Sequence, residues 1–398
     1  DYTTVHCVKA IQQAGYQAIV VNNNPETVST DFSSSDKLYF EPLTLARLLP
    51  IIQLEQPLGV IVQFGGQTAI NLAKQLADHG VKILGTSVTA TDLTENRQAF
   101  ADLLAQQHIA QATGTTVKNL TEAEQAAHKI GYPLLVRPSF VLGGRAMAIV
   151  HNAGELTPVI KAAVAAGHGA PILMDHYLAG QECEVDVLAD GQNACIPGIM
   201  SHIEGAGIHS GDSMAVYPPQ HLSTAVQTQL IKIATQIARA LHCVGLLNIQ
   251  FVVTDQVYVI DVNPRASRTV PFMSKVTQLP LAQLATRLIL GESLTTLNLP
   301  SGLYPVRDGV AIKAPVFSFN KLAQLPTALS PEMKSTGETI GLGKTFDQAW
   351  RAAITDSYQL ENWQLSDGIV TDATTWALPA VQSWAQQQSV PITVVITL

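Results

Sequence analysis

The chain has 398 residues, enough for two or three domains around a substantial core. Hydrophobic residues make up 47% and charged residues only 14%, which implies extensive buried surface, part of it between subunits or chain halves. The net charge of −8 argues against nucleic acid as a partner, and no apolar run reaches the length of a membrane span, so any anion site must be built locally from arginines.

Cys7, Cys183, Cys195 and Cys243 are scattered through apolar settings, with no CxxC pair and no signal-peptide start. They read as buried thiols in a reducing compartment, the cytoplasm. The chain starts at Asp1, directly in a helical pattern, and reads as a fragment of a longer polypeptide.

Val5, Val8 and Ile11 give a helix-period stripe that Gly15 ends before an apolar strand at 18–21. A helix at 43–54, a strand at 59–62, a helix at 69–77 and a strand at 81–84 follow, which is the alternation of a doubly wound α/β layer. The loops at 22–27 and 65–67 sit at carboxyl ends of strands, but no GxGxxG follows a strand, so the dinucleotide-binding signature is absent.

From about Asp92 the pattern becomes α+β. Helices are expected at 95–107, carrying Arg97, and at 121–130; a strand at 133–136 ends at Arg137. The loop at 138–145 contains Gly143 and Gly144, whose lack of Cβ lets backbone N–H groups approach a phosphate closely. Arg137 at the preceding strand end favours a phosphate-covering lid over a plain hairpin turn. Strands at 171–175 and 184–188 are joined by a linker at 176–183, and 207–212 is a polar loop. On the amphipathic helix at 222–241, Leu230, Ile233, Ile237 and Leu241 form a core stripe.

The chain is organised around residues 248–268, NIQFVVTDQVYVIDVNPRASR, two short strands joined by a tight turn at Thr254-Asp255. Ile249, Phe251 and Val253, with Val257, Val259 and Asp261, alternate as one face of a hairpin. Gln250 and Asp261 are expected opposite each other, with Asn263 two residues on, and such hard oxygen donors suit Mg²⁺ that also holds nucleotide phosphates. Pro264 stops the strand, and the next turn presents Arg265 and Arg268, planar cations matched to carboxylate or phosphate. Further on, a helix is expected at 281–290, an edge strand at 310–315, and a strand, helix and strand over 365–398.

These residues carry a resemblance. IDVNPRASRTVPFMSK is similar to the metal- and phosphate-binding strand end of ATP-grasp enzymes, and more closely to the large chain of carbamoyl-phosphate synthetase. TVPFMSK, HIEGAGIHSGDS and RPSFVLGGRAM resemble its second, carbamate-phosphorylating half, and the likeness runs to about Ala353. It implies a pre-ATP-grasp domain at 1–92 lacking its first strand, a two-lobed ATP-grasp domain at 93–354, and a short βα tail at 355–398 that is a truncated regulatory domain.

The resemblance also implies roles. Arg97, Arg137, Gly143 and Gly144 fall to the ATP phosphates, and His176, Leu178 and Glu184 to adenine and ribose. Gly207, Ile208, His209 and Ser210 form the ribose and active-site wall. Gln250, Asp261 and Asn263 fall to Mg²⁺ or Mn²⁺, with K⁺ as a further ion, and Arg265 and Arg268 to carbamate and the transferring phosphoryl, beside Asn263. The family has glutamate where Asp261 stands, so the carboxylate is set back by about 1.5 Å. No cysteine sits in a glutaminase-like setting, which implies a separate glutaminase subunit and the first ATP-grasp half as partners. Glu204 and Asp212 match acids that hold ornithine in some relatives, but Ala314 replaces a third, so no ornithine response is expected. The alternatives are the bicarbonate-phosphorylating half, another ATP-grasp acyl-phosphate ligase, or a silent nucleotide-binding fragment.

Overall fold

Strands with apolar side chains at every second position assemble into a nine-stranded sheet in the computed structural model, which describes residues 1–138, 143–167, 170–318, 329–357, 369–372, 382, 383, 386 and 392–395. Its main path is Val257–Asn263, Val244–Val253, Gln181–Asp190, Ile199–Gly205, Ala215–Tyr217, Val310–Val316 and Gly337–Gly343, every neighbour antiparallel. Cys183, Val185, Val187, Ile249 and Phe251 point to one face and pack on helix Thr224–Ala240 through Leu230, Ile233 and Ile237. Each such fully buried aliphatic or aromatic side chain stabilises the fold by about 1.5–3 kcal/mol. Leu188 and Leu246, on the other face, pack on helices Val270–Thr277 and Leu281–Ile289, and helix Tyr2–Gln13 joins that layer through Cys7 and Ile11.

The expected hairpin is present, with Gln250 opposite Asp261, but its register shifts at Phe251, which faces Val259, so Ile260 is an extra residue. Strict alternation from Val259 would send Asp261 into the core. The bulge turns it to the face of Gln250 instead, which is how bulges re-aim side chains beside functional sites.

The segment expected as an edge strand at 310–315 is interior: Val310–Val316 pairs with Ala215–Tyr217 on one side and Gly337–Gly343 on the other. Pro315 sits near its end, where a missing N–H interrupts little of the ladder.

A second, four-stranded antiparallel sheet runs Gly114–Val117, Ile172–His176, Leu134–Pro138, Ala148–Val150. Helices Leu120–Ile130 and Ala153–Ala166 cover it through Ala123, Ala127, Ile160 and Ala163. Both helices open the same way. Asn119 accepts from Glu122 N at 2.9 Å while Glu122 accepts from Lys118 N at 2.8 Å, and Asn152 and Glu155 repeat the exchange, with His151 N donating to Glu155 at 2.8 Å. Reciprocal capping of this kind fixes where each helix starts.

Residues 1–93 hold two parallel ladders, Ile19–Asn22 with Lys37–Phe40 and Val60–Ile61 with Ile83–Leu84. The region is stitched to the large sheet by the buried amide of Gln63, which donates to Thr86 Oγ1 at 3.0 Å and Val244 O at 2.9 Å and accepts from Leu246 N at 3.2 Å. Ile369–Asp372 and Ile392–Val395 pair in parallel; residues 382, 383 and 386 of the helix expected between them are helical, and the rest of it lies outside the described residues. Among the described residues no helix is long and apolar enough to cross a membrane.

Candidate active site

The two sheets face each other across a cleft of about 780 Å³, a size that holds a nucleotide. All the candidate residues named from the sequence line it: Arg97, Arg137, Gly143, Gly144, His176, Leu178, Glu184, Gly207, Ile208, His209, Ser210, Gln250, Asp261, Asn263, Arg265 and Arg268.

Its floor is two rows running across three strands. Glu184, Gln250 and Asp261 are register neighbours in one; Asn248 and Asn263 are neighbours in the next, which Asp186 continues from behind the cleft lining. Asn248 Nδ2 donates to Glu184 Oε1 at 2.7 Å and to Asp186 Oδ1 at 2.9 Å. Asn263 Nδ2 donates to Asp261 Oδ2 at 2.7 Å, and its Oδ1 accepts from Arg265 Nη2 at 3.2 Å. Ser267 Oγ and Thr269 Oγ1, on either side of Arg268, lie 2.7 and 2.8 Å from Asp186 Oδ1 and Oδ2.

His202, buried beside the floor, places Nδ1 3.7 Å from Glu182 and Nε2 3.6 Å from Glu184. Burial opposes its charge, but the two carboxylates outweigh it and hold the imidazole above its ordinary value. Burial likewise opposes ionisation of Glu184, yet His202, the Asn248 amide and Lys313 pull that carboxyl below the usual range. For Glu182 burial wins over His202, and its carboxyl is raised. Burial, with the charge of Glu184, pushes Asp186 up to about 6.

The facing wall is cationic. Arg137 Nη2 donates to Asp175 Oδ2 at 2.7 Å, and Arg97 Nη2 is paired with Asp175 Oδ1. Gly114 permits this close packing, because a Cβ there would overlap Asp175 and Arg97. Burial opposes the charge of Arg137, but Asp175 and Asp261 raise it further. His176 turns a buried Nδ1, without a hydrogen-bond partner among the described residues, at the same end of the wall.

At the roof, residues 139–142 of the expected lid lie outside the described residues. Gly143 O accepts from Met333 N at 2.9 Å, and Gly144, at φ +71°, packs on the Pro331 carbonyl where no Cβ would fit. His209 N donates to Ser330 O at 2.9 Å, and Lys313 Nζ donates to Ser210 O at 2.9 Å. Burial and the charge of Arg268 lower His209. Glu204 and Asp212 are engaged by backbone: Glu204 accepts from Met214 N, and Asp212 from Lys334 N and Ser335 N, each at 2.8 Å.

Among the described residues no group of three or more His, Cys, Asp and Glu side chains is arranged to hold a metal. Gln250, Asp261 and Asn263 supply one carboxylate and two amides, which fits Mg²⁺ completed by phosphate oxygens rather than an all-protein cage. Asn263 turns its nitrogen to Asp261, so ligation through its oxygen requires a half-turn of the amide and loss of the Arg265 contact.

Asp175, Glu182, Asp186, His202 and Asn248 were not named as site residues from the sequence, and Thr269 was named only within a motif. Glu182, Glu184 and Asp186 stand at every second position of one strand, a period-2 row of acids that does mark this face. Asp175 carries no such signal.

Residues 96–297 match the family described as carbamoyl-phosphate synthase L chain, ATP binding domain, and residues 1–93 match the carbamoyl phosphate synthase preATP-grasp domain. The chain belongs to the carbamoyl-phosphate synthase large-chain family. It is 76% identical over 383 residues to the carbamoyl phosphate synthase arginine-specific large chain of Lactiplantibacillus plantarum, covering 96% of this chain but 38% of that protein. The biotin carboxylase domain of the Hydrogenobacter thermophilus 2-oxoglutarate carboxylase, solved with MgADP and bicarbonate, superposes with a TM-score of 0.71 at 17% identity over 90% of this chain and 87% of that one. Campylobacter jejuni biotin carboxylase gives 0.68 at 16% identity, over 87% of this chain and 86% of that one. These likenesses establish the ATP-grasp fold with its pre-ATP-grasp domain, as expected from the sequence motifs.

Proposed function

We propose that the cleft transfers the γ-phosphoryl group of ATP to carbamate, giving carbamoyl phosphate and ADP, as the carbamate-phosphorylating half of an arginine-specific synthetase. The observation that carries the reading is the juxtaposition, in one cleft, of the Arg97–Asp175–Arg137 wall with the Asp261 floor and the Arg265–Arg268 turn. Phosphoryl transfer asks for positioned cations around a dispersed negative charge more than for acid–base groups, and this cleft supplies four arginines.

Arg97, Arg137, Gly143 and Gly144 take the phosphates; His176 and Leu178 border adenine, and Glu184 the ribose with the wall Gly207, Ile208, His209 and Ser210. Arg265 and Arg268 orient the acceptor and the transferring group, and Asn263 holds Arg265 only while no metal is bound. Gln250, Asp261 and Asn263 would hold Mg²⁺ or Mn²⁺, which when bound neutralises charge between the phosphates. The likeness to a synthase large chain supports a glutaminase subunit that supplies ammonia and a first ATP-grasp half that supplies carbamate as partners.

The test is ATP formation from carbamoyl phosphate and ADP. Turnover is expected, and bicarbonate-dependent ATP hydrolysis in its place would assign the other half. Arg268→Ala should cut that turnover about 10³-fold while leaving ATP affinity unchanged, the scale set by arginines on a transferring phosphoryl. Equal losses in affinity and turnover would move Arg268 onto ATP.

A further inference from the structure

We propose that Asp186, a buried carboxylate that does not itself line the cleft, is the positioning residue that sets the pose of Arg268. The proposal rests on the acceptor-side role given to Arg268 above.

Asp186 is 1% exposed, and its two oxygens meet Ser267 Oγ at 2.7 Å, Thr269 Oγ1 at 2.8 Å and Asn248 Nδ2 at 2.9 Å. Ser267 and Thr269 are the residues immediately before and after Arg268. One carboxylate therefore grips the chain on both sides of the arginine. The Arg268 side chain is itself exposed, with its Nη1 against Met333 Sδ, so its direction is inherited from the backbone that Asp186 fixes. The same turn has a second anchor, Ala266 N donating to Gln63 O at 3.0 Å.

A carboxylate suits this place better than an amide. All three partners act as donors here, and an ionised carboxylate only accepts. Burying an acid among neutral donors is costly, and a purely structural contact would be served by an apolar pair. Spacing matters here because a misplacement of about 1 Å at a reacting group lowers rate about 10²-fold.

The test uses the 398-residue chain with Asp186→Asn and Thr269→Val, and Thr269→Ser as the conservative rescue. Hydrogen exchange at the amides of Ala266 and Thr269 should accelerate about tenfold or more in the first two, the scale of a lost hydrogen bond to a charged group, and return to the parent rate in Thr269→Ser. Turnover of carbamoyl phosphate with ADP should fall about 10²-fold with ADP affinity unchanged. Unaltered exchange in both Asp186→Asn and Thr269→Val overturns the proposal, as does faster exchange with full turnover. If the parent chain makes no ATP from carbamoyl phosphate, the reaction assignment fails, and the exchange result still decides whether Asp186 holds the turn. Should Asp186→Asn fail to fold, Thr269→Val carries the same measurements.

Discussion

The two sides of the cleft bury carboxylates in different company. On the wall, Asp175 is clamped between the guanidinium groups of Arg97 and Arg137. On the floor, Glu184 and Asp186 are held by an amide, two hydroxyls and one imidazole. The wall has more positive charge than its acid can neutralise, and the excess faces the cleft. On the floor His202 and neutral donors occupy the acids, and among the described residues neither Arg265 nor Arg268 forms an ion pair with them. Cations without a full complement of acids thus remain on both sides, by surplus on one and by separation from the acids on the other.

The contrast predicts unequal costs of removal. Asp175→Ala removes the buried carboxylate and leaves the half-buried Arg137 without its ion-pair partner, and should destabilise the protein by about 3–5 kcal/mol, read from denaturant unfolding. A loss below about 1 kcal/mol, the range of exposed pairs, would show that the clamp is solvated after all. Gly114→Ala attacks the same clamp through sterics, since the new Cβ would force Asp175 and Arg97 apart. Overpacking of this kind costs about 1–3 kcal/mol, and ADP affinity should fall with it; a variant with parental stability and affinity would separate the clamp from nucleotide binding.

On the floor, Asn263→Asp should leave the fold intact and shift the Mg²⁺ and Mn²⁺ dependence of nucleotide binding, because a second carboxylate joins Asp261. An unchanged metal profile would remove Asn263 from the ion's surroundings. The smallest effect is a pH slope. His202 is held above its ordinary 6.5, first against burial and then by Glu182 and Glu184, so it contributes stability that is fully present below pH 6.5 and is lost as pH rises through its folded value. His202→Gln should flatten that part of the Tm-against-pH curve. A parental slope in the variant would assign it to other groups.

Local pattern made much of this molecule legible in the sequence. The Leu230, Ile233 and Ile237 stripe and the hairpin alternation follow from contacts between near neighbours in the chain, whereas the Asn152-capped helix Ala153–Ala166 was not expected. The candidates named from the motifs, and from the resemblance that they carry, all line the cleft, although Asp175, Glu182 and Asn248 line it without having been named. The tertiary structure alone decided the rest. Asp175 meets Arg97 and Arg137 across sequence gaps of 78 and 38 residues, and no local period records such a meeting. The strand at Val310–Val316 became interior because Gly337–Gly343, which has glycines and no strong alternation, pairs with its far side. The direction of Asp261 depended on a single bulged residue, Ile260: with a period of two, one extra residue moves a side chain from the core to the cleft, and only the pairing of the finished sheet fixes where that residue falls.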